Sequence, residues 1–200
     1  MTATPVPPQL LPMMLYCFAM SITPGPNNML LTASGANFGY RLTLPQILGI
    51  NAGGFVLATA SCVGLGQLFV AWPALQAVLR IGGALYLLYL AAKLARARIG
   101  DATMLRPQSF VEGALFQVIN PKSWLKAITL GSVFMPAGAS PLPAALAIAT
   151  VSALIGLPCV SLWALFGVAI RRFLQDARNQ RLFNLAMAAT LAVLALDFLR

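Results

Sequence analysis

Residues 10–38 read LLPMMLYCFAMSITPGPNNMLLTASGANF, an uncharged run cut in its middle by Thr23-Pro24-Gly25-Pro26. A helix needs about 20 apolar residues to cross a bilayer. Neither flank of the cut reaches that length, but the two together exceed it. Proline lacks a backbone donor and clashes with the preceding turn, so two prolines around a glycine break a helix. Inside a membrane a break is tolerated only where protein or a wet cavity satisfies the freed backbone groups. Residues 110–135, FVEGALFQVINPKSWLKAITLGSVFM, repeat the arrangement around Asn120-Pro121-Lys122. One such break reads as a kink. Two, each opening one half of the chain, point to a transport site near the midplane.

Working outward, four more apolar runs occupy residues 44–70, 74–94, 142–170 and 182–199, with Pro158 inside the third of these. The expected fold is therefore an all-α integral membrane protein of about six transmembrane helices, the first and fourth broken. Hydrophobic residues make up 60% of the chain and charged residues 8%, against about 25% charged in soluble domains. A soluble domain of this size could not cover its surface with so few charges. The net charge of +9, from 13 basic and 4 acidic residues, does not mark a nucleic-acid binder, because the cations cluster between apolar runs. Arg41 follows the first run, Lys93, Arg96, Arg98 and Arg106 follow the third, and Arg171, Arg172, Arg178 and Arg181 follow the fifth. The other connections hold no cation. By the positive-inside rule the cationic connections are cytoplasmic and both termini face outward, in a bacterial inner membrane. Three helices out of step with three more make two inverted repeats, residues 1–100 and 107–200, within one transmembrane domain. No basic residue precedes the first run, so it is expected to stay in the protein as a helix rather than be cleaved as a signal.

The breaks carry the chemistry. Half-helices that begin after Pro26 and Pro121 aim positive N-terminal ends at the middle, where backbone donors attract a carboxylate. Carbonyls freed before the breaks can accept from an ammonium group. Together they suit a zwitterion, and the substrate-binding candidates are Pro24, Gly25, Pro26, Asn27, Asn51, Asn120, Pro121 and Lys122. A mid-membrane lysine costs about 2.5–3.5 kcal/mol and is functional by default, so Lys122 is assigned to the substrate carboxylate. Lys126 lies one turn further on the same face, either lining the pathway or snorkelling. Glu112, the acid near the start of the second broken helix, is a candidate for proton coupling, with an interfacial charge as its alternative. Asn28 and Asn51 could instead bond across helices, and Arg80 is assigned to snorkelling. The pairs Gly35/Gly39 and Gly49/Gly53 have the spacing of close helix packing. Histidine is absent, no metal or cofactor is expected, and Cys17, Cys62 and Cys159 read as free, buried, small hydrophobes.

Thr23-Pro24-Gly25-Pro26-Asn27-Asn28, Gly49-Ile50-Asn51-Ala52-Gly53, Gly83-Ala84-Leu85-Tyr86-Leu87 and Asn120-Pro121-Lys122, in that order, resemble the LysE/RhtB family of amino-acid exporters over nearly the whole chain. The resemblance implies six helices and efflux of amino acids or close metabolites in exchange for protons. Many members carry an acid after the glycine matching Gly53, where this chain has Gly54-Phe55. That departure weakens a lysine-exporter assignment, and the wording looks more like the branch exporting cysteine and O-acetylserine. The expected partners are a small neutral amino acid, protons, membrane lipid and a second copy of the chain, with no nucleic acid.

Rival readings fare worse. A membrane thiol–disulfide carrier needs a cysteine on each broken helix, and residues 110–135 hold none. An intramembrane enzyme needs a zinc motif, an aspartate pair or a serine–histidine set. A structural or passive-channel subunit is the remaining alternative, although it has no use for a lysine at the midplane.

Overall fold

A computed structural model describes residues 9–65, 73–96, 106–136 and 140–199. Among these residues the chain is helical, with no strand. In chain order the helices are α1 Leu10–Ile22, α2 Pro26–Phe38, α3 Tyr40–Ala60 continued by one π-helical turn Ser61–Leu65, α4 Pro73–Ala95, α5 Phe110–Ile119, α6 Pro121–Val133, α7 Pro141–Ile170 and α8 Ala177–Leu199. Both expected breaks are present. Thr23, Pro24 and Gly25 separate α1 from α2, and Asn120 alone separates α5 from α6.

Segments 40–64 and 141–170 are each long and apolar enough to cross a membrane unaided. Helices α1, α2 and α6, at 13 residues, and α5, at 10, are not. Helices α4 and α8 hold 23 residues each, about 34 Å at the α-helical rise.

Two helix starts precede their apolar patterns, each for a local reason. Gly39 has φ 82, a left-handed conformation that spares a Cβ clash. It turns α2 into α3 by itself, so Arg41 is already helical, with an exposed side chain. The last helix begins at Ala177 rather than near Leu182 because Asp176 caps it. The Asp176 carboxylate accepts from the backbone N–H groups of Arg178 at 2.9 Å and Asn179 at 3.0 Å, satisfying orphan donors of the first turn.

Helix α2 is the core of the bundle. Pro26, Asn28, Met29 and every residue from Leu31 to Ala36 are buried, which leaves no face for solvent or lipid. Helix α3 packs on α5, α6 and α7, while α7 packs on α1, α2 and α3, and α4 pairs with α8. The α3–α5 and α2–α7 contacts bring backbones together through glycine. A Cβ on Gly49 would meet the Phe110 carbonyl, and one on Gly35 would meet the Ala164 carbonyl. Gly53 packs likewise on Ala114. Of the four glycines in the two spaced pairs, only Gly39 makes no packing contact.

Three apolar clusters frame the centre. One joins Met29, Leu87, Phe116 and Leu191; another joins Met13, Cys17, Cys62 and Leu130; a third joins Leu31, Ile47 and Val160. Cys17, Cys62 and Cys159 are free and buried, as expected. Large apolar side chains also point outward, including Leu15, Val56, Val78, Leu85, Leu115, Leu125, Leu154 and Val193. Exposed apolar surface on this scale suits a lipid environment. The side chains of Arg80, Lys93 and Asp197, and all of Trp72 and Arg98, lie outside the described residues.

Candidate functional site

At the first break the chain satisfies the carbonyls it frees. The Asn28 amide donates to the Ser21 carbonyl at 2.9 Å and to the Thr23 carbonyl at 2.8 Å. The Trp163 indole of α7 donates to the Ile22 carbonyl at 3.0 Å. What remains is a small cradle of oxygens, and Lys122 fills it from the opposite break. Its Nζ donates to the Thr23 carbonyl at 2.9 Å, the Thr23 hydroxyl at 2.8 Å and the Pro24 carbonyl at 3.0 Å. Gly25 is what lets it in, because a Cβ there would stand 2.9 Å from Lys122 Cδ and 3.1 Å from Nζ.

The second break is capped from within. The Asn120 side chain, 1% exposed, accepts from the Lys122 backbone N–H at 3.1 Å. The Asn120 carbonyl accepts from the Ser123 N–H at 3.0 Å, and the Trp124 indole donates to the Val118 carbonyl at 2.6 Å. The first donors of α6 are therefore occupied. At α2 the Asn28 side chain turns back to α1, and the backbone N–H groups of Asn27 and Asn28 have no partner among the described residues.

A second link ties the breaks together. The Asn27 amide donates to Gln117 Oε1 at 2.9 Å, and Gln117 Nε2 donates back to Asn27 Oδ1 at 3.2 Å. Ser123 adds a bond to Gln117 Oε1 at 2.7 Å. Gln117 is 2% exposed, and its remaining N–H goes to the Gly113 carbonyl of its own helix. This network holds the two half-helix junctions at fixed separation, as a preorganised polar site requires.

The breaks open on a cavity of about 80 Å³, roughly half the 150 Å³ cavity that takes up benzene. Gly25, Asn27, Asn51, Asn120, Lys122 and Lys126 line it, so six of the ten residues that the sequence singled out meet there. Pro24, Pro26 and Pro121 shape the breaks but do not face the space. Glu112 is elsewhere. It forms a capping box with Ser109 at the start of α5 and an ion pair with Arg106 at 2.8 Å. Lys126 does not snorkel; its Nζ donates to Ser21 Oγ at 3.0 Å inside the cavity.

The sequence reading missed Gln117, Ser21, Ser123, Ser152 and Trp163. Gln117 had a signal, as a polar amide within an apolar run. Serines and tryptophans inside membrane helices are too ordinary to stand out. The lining holds two lysines and no acid among the described residues. With two ammonium groups and several amides and hydroxyls among apolar walls, it suits a small anionic or zwitterionic solute.

Residues 18–200 match the model of a family described as LysE type translocator. The chain is also similar to proteins described as cysteine/O-acetylserine efflux protein, among them those of Escherichia coli (strain K12) and Shigella sonnei (strain Ss046). Each is 29% identical over 182 residues, covering 90% of this chain and 92% of the relative. No solved structure matches it. The match, from within α1 to the last residue, takes in both breaks and the cavity between them, and the chain belongs to the LysE type translocator family.

Proposed function

We propose that this protein is a secondary exporter of small neutral amino acids or close derivatives across the inner membrane, in exchange for protons. The single observation that carries the reading is the Lys122 ammonium seated on the carbonyls of Thr23 and Pro24. That seat has the chemistry of a site for a substrate ammonium, occupied at rest by the protein's own. An arriving carboxylate accepts from the free N–H groups of Asn27 and Asn28 and draws Lys122 Nζ toward itself. The vacated carbonyls then receive the substrate's ammonium. Both charges of the zwitterion are met in one exchange, and no carbonyl is left bare. Moving Lys122 out of its seat also enlarges the cavity of about 80 Å³.

Six spans in two inverted three-helix repeats, residues 1–100 and 107–200, account for the packing. Helix α3 lies on the second broken helix and α7 on the first, while α3 meets α7 and α4 meets α8. That is the pattern a pseudo-two-fold axis in the membrane plane would give. The positive-inside rule, applied to the cation-bearing connections, supports termini that face outward. Glu112 is engaged away from the cavity, so we assign the exchanged proton to the cavity's lysines or to the substrate. The relatives' description as cysteine/O-acetylserine efflux proteins supports a small neutral cargo.

The test is efflux of preloaded radiolabelled cysteine, O-acetylserine, threonine, homoserine, leucine and lysine from cells expressing wild type or Lys122→Ala. Export of a neutral substrate should fall by about 100-fold or more in the variant, the scale expected when a charged anchor is lost. Undiminished export would keep the transporter and remove Lys122 as its anchor. Absence of export of all six would favour a structural or passive-channel role.

A further inference from the structure

The exchange at Lys122 accounts for the substrate's backbone and leaves Lys126 without a task. Lys126 extends from α6 into the same cavity with Ser21 Oγ as its hydrogen-bond acceptor. No acid lines the space among the described residues. A lysine kept inside a membrane helix without a counter-charge is expensive, and no contact here offsets that cost beyond one hydroxyl.

Lys126 and two other polar groups, from three helices in all, converge on a bare position of a fourth. Measured from where a Cβ on Gly156 of α7 would stand, Asn51 Oδ1 of α3 is at 3.4 Å, Ser21 Oγ of α1 at 3.6 Å and Lys126 Nζ of α6 at 3.9 Å. The missing side chain leaves a pocket, and Ser152 one turn earlier on α7 lines the same cavity. The Asn51 side chain has no hydrogen-bond partner among the described residues. The Ser21 hydroxyl, already accepting from Lys126, has its proton left to give. Lys126 and Ser21 therefore keep N–H and O–H groups to give at this end of the cavity, beside the Asn51 carbonyl oxygen.

We propose that Lys126, Ser21 and Asn51, around Gly156, form a side-chain subsite that selects amino acids whose short side chain ends in an oxygen acceptor. The proposal rests on the exporter reading and deepens it. The Lys126 ammonium and the Ser21 hydroxyl donate to the acceptor, and a cationic side chain is rejected by like charge at close range in a low-dielectric space. An apolar side chain of equal length leaves the lysine unsatisfied and is carried less well.

The full chain, purified and reconstituted in proteoliposomes, would be compared as wild type, Lys126→Met and Lys126→Arg. Four labelled cargoes separate the chemistries: O-acetylserine with a neutral ester, aspartate with a carboxylate, norvaline with an apolar end, and 2,4-diaminobutyrate with a second ammonium. Wild type should carry an acceptor-ended cargo ahead of norvaline and exclude diaminobutyrate. Preference for either acceptor supports the subsite, aspartate marking a charged end and O-acetylserine a neutral one. In Lys126→Met the acceptor-to-norvaline ratio should fall about tenfold, as for loss of a hydrogen bond to a charged group, and Lys126→Arg should retain the ranking. An unchanged ratio in Lys126→Met, or diaminobutyrate carried as fast as O-acetylserine by wild type, overturns the proposal. Thermal stabilisation of the detergent-purified protein by the same four compounds reads binding without transport. If no cargo moves, the exporter reading fails, while the stabilisation order still decides the subsite.

Discussion

The two helix breaks look alike in sequence, since each has a proline opening a half-helix and an asparagine beside it. In three dimensions they divide the work. The first break leaves a three-residue gap whose carbonyls form an acceptor cradle, and its half-helix keeps free donors at Asn27 and Asn28. The second spends one residue, caps itself through Asn120, and contributes the cation that sits in the first. What separates them is the number of residues outside the helix. A gap of several residues exposes carbonyls that local caps cannot all reach, whereas a gap of one can be closed by a single side chain. Two helix ends with similar motifs thus become one acceptor and one donor.

That division can be broken experimentally. The largest effect is expected from Gly25→Val, whose side chain would occupy the seat of the Lys122 ammonium. Efflux should drop about 100-fold at unchanged membrane abundance, and activity within twofold of wild type would remove the cradle from the pathway. Asn28→Leu should come next. It unties α1 from α2 by deleting two hydrogen bonds, one buried and one partly buried, a loss of about 2 kcal/mol. The midpoint of thermal unfolding in detergent should fall by about 4–8 °C. The smallest effect belongs to Asn120→Ala, which removes an N-cap worth about 1 kcal/mol and should lower the same midpoint by about 2–4 °C. If Asn120→Ala instead cost more stability than Asn28→Leu, the second break would be doing more than capping itself, and the contrast drawn here would collapse.

The fold was largely legible because its signals are covalent or compositional. Prolines at positions 24, 26 and 121 place both breaks, and long uncharged runs place the helices between them. The ends were read less well. The start of α3 depends on a single residue in the left-handed region, and the start of α8 depends on the Asp176 cap; both signals are one residue wide. At the site, Lys122 stood out because a charge in an apolar run is costly wherever it lies. The destination of its ammonium could not be read. That depends on how far apart packing holds two helices distant in sequence, which no local pattern encodes. The first N–H groups of α6 are taken by Asn120 for a related reason, since a residue flanking a break can serve its own helix before it serves a ligand. Gln117 was overlooked because amides are common. Its importance comes from facing Asn27 across the bundle, which only the packing decides.

The one-residue link at Gly39 has a mechanical corollary. Ser34 and Thr43 are hydrogen-bonded across it at 2.9 Å, and the Thr43 hydroxyl also reaches the Gly39 carbonyl at 2.9 Å. An elbow with so few rotatable bonds, pinned on both sides, transmits torque instead of absorbing it. Helices α2 and α3 must swing as one rigid arm. If the proposed exporter opens its cavity alternately to the two faces of the membrane, the unwound residues at the breaks are the joints nearest the cavity, and joint and proposed seat are made of the same few atoms.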